Sequence, residues 1–203
     1  MATRFDATPT TAKREAVQAQ LLEAAHAVLE EGAGYTGLSI ERITSRAGLS
    51  RTAFYFYFAD KDELLLALAE DVAAQFFAGV ASWFAGEGST DDDIREGLGN
   101  ILELYDQHGA VVAILVEAAT SDGRASRLWH SLIDRFVDAT QARIERDQAA
   151  GRALPGPARE LAFSLCWMTE RVMYERHVQH RGERGDEVLE ALTAIWERAI
   201  YGA

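Results

Sequence analysis

Between Ser39 and Tyr57 two helix-start signals flank a single glycine, and no other stretch of the chain narrows the fold as much. A serine just before a helix accepts a hydrogen bond from one of the first backbone amides, which otherwise has no partner. Ser39 stands in that position before a short helix reaching about Ala47, with Ile40 and Ile43 on its inward face. Ser50 stands there before a second short helix reaching about Tyr57. Gly48 makes the turn, the small Ala47 lets the helices approach, and Leu49 plugs the core between them. Two short capped helices joined this tightly have the spacing of a helix-turn-helix. Many α-helical proteins contain such a pair, so the spacing alone leaves its role open.

The residues opening the second helix have the chemistry of a DNA reader. In a helix-turn-helix that helix enters the major groove and its N-terminal side chains meet base edges; here they are Ser50, Arg51, Thr52 and Ala53. A guanidinium can pair twice with guanine, worth about 1–3 kcal/mol of discrimination, and a threonine offers a hydroxyl or a methyl. Tyr55 and Tyr57 carry phenols suited to phosphate oxygens, while Phe54 and Phe58, four apart, fall on the core side. Lys61 lies where a long helix begins, so its ammonium and the helix amides can hold one phosphate. Ser39 is a further candidate contact.

The rest of the chain reads as helix. Three prolines occur in 203 residues. Periodicity and caps predict nine helices: about 13–31, 39–47, 50–57, 60–84, 90–107, 110–120, 125–150, 158–179 and 186–200. The third segment of the body is very apolar, Asp60-Lys-Asp-Glu63 resembles a capping box, and Gly151–Pro157 is the clearest loop. This gives an all-α protein: a flexible arm over residues 1–12, a three-helix DNA-binding head over 13–61, and a six-helix ligand-binding and dimerisation body over 62–203.

Charge is divided along the same line. Residues 1–61 hold seven Lys or Arg and seven Asp or Glu; the remainder of the totals, 20 and 32, leaves 13 and 25 for residues 62–203, all of the net −12. A neutral head permits contact with phosphates, and an acidic body opposes it. The single Cys166 has no partner for an internal disulfide, which suits a reducing cytoplasm. The N-terminus lacks the apolar stretch of a secretory signal, and no apolar run reaches the roughly 20 residues needed to span a bilayer. Enzyme readings find little support. A di-iron bundle needs two Glu-x-x-His motifs, and only Glu23-Ala-Ala-His26 is present. His177 and His180 share a metal-like spacing but lie beside an arginine-rich, solvated end. No phosphate loop or nucleophile elbow occurs, and no metal or cofactor is expected.

The run from Ile40 to Leu64, with Gly-Leu-Ser-Arg-Thr-Ala-Phe-Tyr-Phe-Tyr-Phe and then Lys-Asp-Glu-Leu, resembles the head of the TetR family of repressors. Tyr57 stands where that family commonly has histidine, and Thr44 where a small alanine is usual, so Thr44 joins the candidate DNA contacts. Met168-Thr-Glu-Arg171 and Ile195-Trp-Glu-Arg-Ala-Ile-Tyr-Gly202 are similar to the mycobacterial ethionamide-resistance branch of the family. The likeness is tight at both ends and loose in the middle.

The body is dense in aromatic residues, and the 158–179 helix carries Cys166, Thr169 and Glu170 as polar members of an otherwise apolar run. Such residues are core first; they become a ligand site where helices leave a cleft between them. The resemblance implies an elongated cavity lined by Leu102, Tyr105, Trp129, Ile133, Phe136, Cys166, Thr169, Met173 and Tyr174. Cys166 and Thr169 stand where the ethionamide-type regulators have amide side chains, which leaves the effector's identity open. The resemblance also implies a homodimer built on the last two helices, through Leu161, Leu165, Met168, Val172, Leu189, Leu192, Ile195 and Ala199. These stripes can equally pack within one chain. The expectation is a repressor bound to a palindromic double-stranded DNA operator and released by a small apolar ligand. The alternative is a DNA-binding protein of the same fold controlled by a protein partner.

Overall fold

A computed structural model describes residues 11–86, 90–120, 122–179 and 185–202. The described residues form ten α-helices and one π-helical turn, with no strand. The chain divides into two compact units, Met1–Leu68 and Ala69–Ala203.

The first unit contains α1 (Thr11–Glu30), α2 (Gly34–Gly37), α3 (Ile40–Arg46), α4 (Arg51–Phe54) and the start of α5 (Lys61–Gly79). Leu21, Ala25 and Leu29 of α1 pack with Leu38, Ile43, Phe54, Phe58 and Leu64, all essentially solvent-free. The caps are where the sequence puts them. The Ser39 and Ser50 hydroxyls accept from the amides of Arg42 and Ala53. Gly48 turns with φ +64°, a conformation that a Cβ disfavours. At the head of α5, Asp60 Oδ1 accepts from the Glu63 amide at 2.7 Å, and Glu63 Oε2 reaches back to the Ala59 amide at 2.6 Å. The Gln20 amide group donates to the Ala47 carbonyl at 2.7 Å, tying α1 to the turn.

The second unit holds the rest of α5, then α6 (Ala81–Ala85), α7 (Thr90–Ala119), α8 (Gly123–Ala149), α9 (Ala158–Met173), the π-helical turn Tyr174–Gln179 and α10 (Gly185–Ile200). Helix α8 packs on α9, while α7 packs on α8, α10 and the π-helical turn.

Ten helices replace the nine expected because three local decisions went differently. The one-turn helix α2 carries no periodic pattern long enough to register in sequence. The expected 60–84 helix stops at Gly79, where the Asn100 side chain takes the Gly79 carbonyl at 2.8 Å and α6 starts afresh. The expected 90–107 and 110–120 helices are one, because Gly109 continues the helix instead of breaking it. A Cβ there would lie 3.5 Å from the Val178 side chain, an ordinary contact, so the position takes helical geometry as any residue would. That turn is itself a departure from the regular 158–179 helix expected.

A buried ionic cluster fastens the body's loops. Asp147, fully buried, accepts from Arg143 Nε at 2.7 Å, from Tyr201 Oη at 2.7 Å and from Arg152 Nε at 3.1 Å. Burial pushes the Asp147 carboxyl up, but the donors from Arg143, Tyr201 and Arg152 outweigh it and hold it below the usual range. Arg143 also donates to the Trp83 carbonyl, and Arg146 to the Phe84 carbonyl. These bonds close the C-terminal end of α6, whose last residues turn through Gly86 at φ +76°. The Gly151–Pro157 loop is held by the Leu154 amide on the Ile200 carbonyl at 2.7 Å.

Candidate functional site

In the first unit, Arg51, Thr52 and Tyr55 are exposed along the short helix α4, with Ser50 at its cap and Ala53 half-buried. Phe54 and Phe58, by contrast, are 0% and 2% exposed, with ring centroids 5.7 Å apart, and anchor the helix from beneath. Tyr55 follows Arg51 by one turn, and the nearby phenol raises the Arg51 pKa further, so the guanidinium stays charged. Tyr57 is half-buried. The Lys61 ammonium sits 3.8 Å over the Tyr35 ring and donates to the Tyr35 carbonyl at 3.2 Å, which pins it beside the start of α5.

The Ser39 and Ser50 hydroxyls each accept from a backbone amide as caps, and Thr44 is only 4% exposed. The Thr44 hydroxyl donates back to the Ile40 and Glu41 carbonyls, at 2.8 and 3.2 Å, so it is a core group of α3 and not an extra contact for DNA. One exposed aromatic escaped the sequence reading: Phe56, 76% exposed between the two tyrosines. Its signal was the alternation itself, since Phe54 and Phe58 occupy the inward positions and leave Phe56 outside.

In the second unit a cavity of about 100 Å³ opens among α5 to α10. Tyr105, Ile133, Phe136, Cys166 and Thr169 line it, as the resemblance implied. A second hollow of about 60 Å³ adjoins it, lined by Trp129 and by Ala69, Val72 and Ala73 of α5. The two share Phe76, Tyr105, Ile133 and Phe136, so together they form an elongated, divided space. Leu102, Met173 and Tyr174 line neither part; Met173 is fully buried and Tyr174 9% exposed.

The larger chamber draws on residues that sequence alone did not group with it. Phe76 and Tyr105 meet edge to face at 5.1 Å, and Trp83 and Trp196 at 5.5 Å. Trp196 Nε1 donates to Thr169 Oγ1 at 2.9 Å, fixing both on the wall. Thr140 and the Cys166 thiol form a weak bond at 3.5 Å, and burial pushes the thiol up to about 11, so it stays protonated and unreactive. Glu170 also lines the chamber, with 5% exposure and no hydrogen-bond partner for either carboxylate oxygen among the described residues.

The expected dimer stripe splits into two faces. Leu165 and Leu192 are 3% and 2% exposed and pack inside their own chain, because they share the inward face with Ala162, Cys166 and Trp196. Leu161, Met168, Val172, Leu189 and Ala199 are half-buried at the rim. Ile195 is 43% exposed, and so, at 45%, is Phe163, which the sequence reading did not place there.

Among the described residues no group of three or more potential metal ligands occurs, and no helix is long and apolar enough to cross a membrane. The arm residues 1–10 and His180 lie outside the described residues.

Comparison with known proteins agrees with this division. Residues 21–68 match the family model "Bacterial regulatory proteins, tetR family", and residues 94–202 match "Transcriptional regulator EthR, C-terminal domain". The chain is similar to the HTH-type transcriptional regulator EthR of Mycolicibacterium smegmatis, with 31% identity over 204 residues, covering 98% of this chain and 91% of that protein. It is 33% identical over 173 residues to EthR of Mycobacterium tuberculosis, covering 81% of this chain and 78% of that one. A solved TetR-family regulator from Mesorhizobium loti shares the fold with a TM-score of 0.78 at 16% identity, covering 95% of this chain and 100% of that one. The chain belongs to the TetR family of helix-turn-helix DNA-binding transcriptional regulators, with a C-terminal part of the EthR kind, and its relatives are regulators and not enzymes.

Proposed function

We propose that the protein is a homodimeric repressor that a small, mainly apolar ligand releases from a palindromic operator. One observation carries this reading: the body encloses an aromatic-lined cavity in which α5 supplies Phe76, while the same helix begins at Lys61 beside the DNA-reading segment. A close-packed body would instead favour control by a protein partner.

Arg51, Thr52 and Tyr55, with Ser50, Ala53, Tyr57 and Lys61, are the proposed DNA contacts. The bidentate Arg51 reads a base, and the phenols and ammonium hold phosphates. A two-fold dimer places two such helices in successive major grooves roughly 34–36 Å apart, so a palindrome is its natural target. The outward face of α9 and α10, with Phe163 and Ile195 at its centre, is the proposed seam. A ligand in the cavity pushes on Phe76 and on Ala69–Ala73, and α5 carries the displacement to its own first turn. To weaken operator binding a hundredfold, the ligand must prefer the released arrangement by about 2.7 kcal/mol, within the usual range of coupling energies.

The test begins by selecting bound duplexes from random DNA and measuring affinity by fluorescence anisotropy. Small molecules that bind the purified protein are then added to the selected complex. The expected result is a palindromic consensus and release in proportion to occupancy of the cavity. Ligand binding that leaves operator affinity unchanged would overturn the switch and leave the DNA reader.

A further inference from the structure

The larger chamber is mostly apolar, and while Thr140, Cys166 and Thr169 on its wall have partners within the chain, one carboxyl group does not have a hydrogen bond among the described residues. Glu170 projects from the last turn of α9, with its side chain 3% exposed, and both oxygens are buried without a hydrogen-bond partner among the described residues. Arg171 is the nearest cation, and its Nε stands 3.7 Å from Oε2, too far for a hydrogen bond. The Arg171 guanidinium is engaged elsewhere, with Glu175 at 3.5 Å and the Tyr174 ring at 5.0 Å. Leaving a buried polar group without a hydrogen bond costs free energy that packing must supply, so the position calls for a partner that the described residues do not provide.

The surrounding groups limit what that partner can be. Phe76, Trp83, Tyr105, Phe136 and Trp196 face the same chamber. Aromatic faces attract cations, and an ionised carboxylate accepts hydrogen bonds without donating any. A ligand that supplies N–H donors and positive charge satisfies both at once. We infer that the chamber is built for an amphiphile with a basic nitrogen, a primary or secondary amine whose ammonium pairs with Glu170 while an aryl or alkyl body fills the aromatic space. This inference rests on the cavity being the effector site and names the class of effector.

The electrostatics add a signature. Burial pushes the Glu170 carboxyl up, Arg171 counters it and Glu175 adds to it; Tyr105 of α7 and Tyr174 are the phenols nearby. Burial thus works against its charged form, and seating an ammonium beside it favours the carboxylate.

Isothermal titration of the full chain at pH 7 tests this with matched probes: phenylpropyl-, phenylbutyl- and phenylpentylamine against the corresponding alcohols. At least one amine is expected to bind about tenfold more tightly than its alcohol, the scale of one charge-assisted hydrogen bond. Glu170→Gln should keep the alcohol's affinity and lose the amine preference. Equal binding of amine and alcohol, or an amine preference that survives Glu170→Gln, would overturn the inference while leaving the cavity as a ligand site. Binding of neither series would overturn both.

Discussion

The two units solve opposite problems with the same secondary structure. In the first, the groups that matter stand outside on one short helix, and the core below exists to hold that helix still. Arg51, Thr52 and Tyr55 are exposed because Phe54 and Phe58 are not. In the second, the groups that matter are inside, gathered from helices far apart in sequence. There the polar exceptions lie within, and the surface carries exposed apolar groups at Phe163 and Ile195. A binding surface can thus be laid out by neighbours a few residues apart, while a cavity has to be assembled from a whole domain. Consequently, a change at an exposed head residue such as Arg51 should alter function with little effect on stability, and a change in the Asp147 cluster should do the reverse.

The largest expected effect breaks the body. Asp147→Ala leaves Arg143, 3% exposed, without its counter-charge, and should cost about 3–5 kcal/mol of unfolding free energy, measured by urea denaturation. The Asp147 pKa is depressed in the folded chain, so its stabilisation is complete above the unfolded value near 3.9 and disappears as pH falls through the folded value. The wild-type acid transition should therefore lie at lower pH than the variant's advantage-free baseline predicts. If Asp147→Ala denatures at the wild-type urea midpoint at pH 7, the cluster is not a fastening.

Next is Arg51→Ala. Operator affinity should fall by about 1–3 kcal/mol, with discrimination relaxed at one base position, and the thermal midpoint should stay within a degree or so because Arg51 is exposed. A uniform loss across all sequences would make Arg51 a phosphate contact instead.

Ser50→Ala tests how far the head depends on a local cap. Loss of the bond to the Ala53 amide, 3.0 Å long, should destabilise by about 1 kcal/mol in chemical denaturation, and a glycine there should cost only a few tenths. Equal costs for alanine and glycine would mean that loss of the hydroxyl, and not backbone freedom, sets the cost.

The smallest effect carries the opposite sign. Folding raises the Glu170 pKa, so its burial is free below the unfolded value near 4.3 and becomes destabilising as pH rises toward and through the folded value. Glu170→Gln should accordingly raise the thermal midpoint modestly at pH 8 and lose that gain at pH 4, followed by circular dichroism. A gain independent of pH would point to packing and not to charge.

The head was legible because its instructions are local. Ser39, Ser50, Asp60 and Glu63 each bond a backbone amide within four residues, and Gly48 adopts the turn its lack of a Cβ allows. Thr44 shows the limit even there. As a residue type it suits a surface contact, but it lies one position from Ile43 on a seven-residue helix and is drawn under the same cover.

In the body the helical character could be read, and the helix ends could not. Gly79 ends a helix where Asn100, twenty-one positions later, takes its carbonyl, and Gly109 continues one alongside the Val178 side chain. The cavity shows the same thing. Cys166, Thr169 and Glu170 were visible as polar interruptions of an apolar run, but nothing in their spacing said that Glu170 would be left unpaired.

Sequence by itself determined the all-helical class, the reading segment and the split of charge between head and body, because caps, turns and periodicity act over one or two turns of chain. Only the tertiary structure decided which side of α9 faces inward, that Leu165 and Leu192 belong to the core, and that Trp83, Thr140 and Trp196 share a chamber with Glu170. Those outcomes depend on how much surface each distant helix can bury against the others, and no local pattern carries that information.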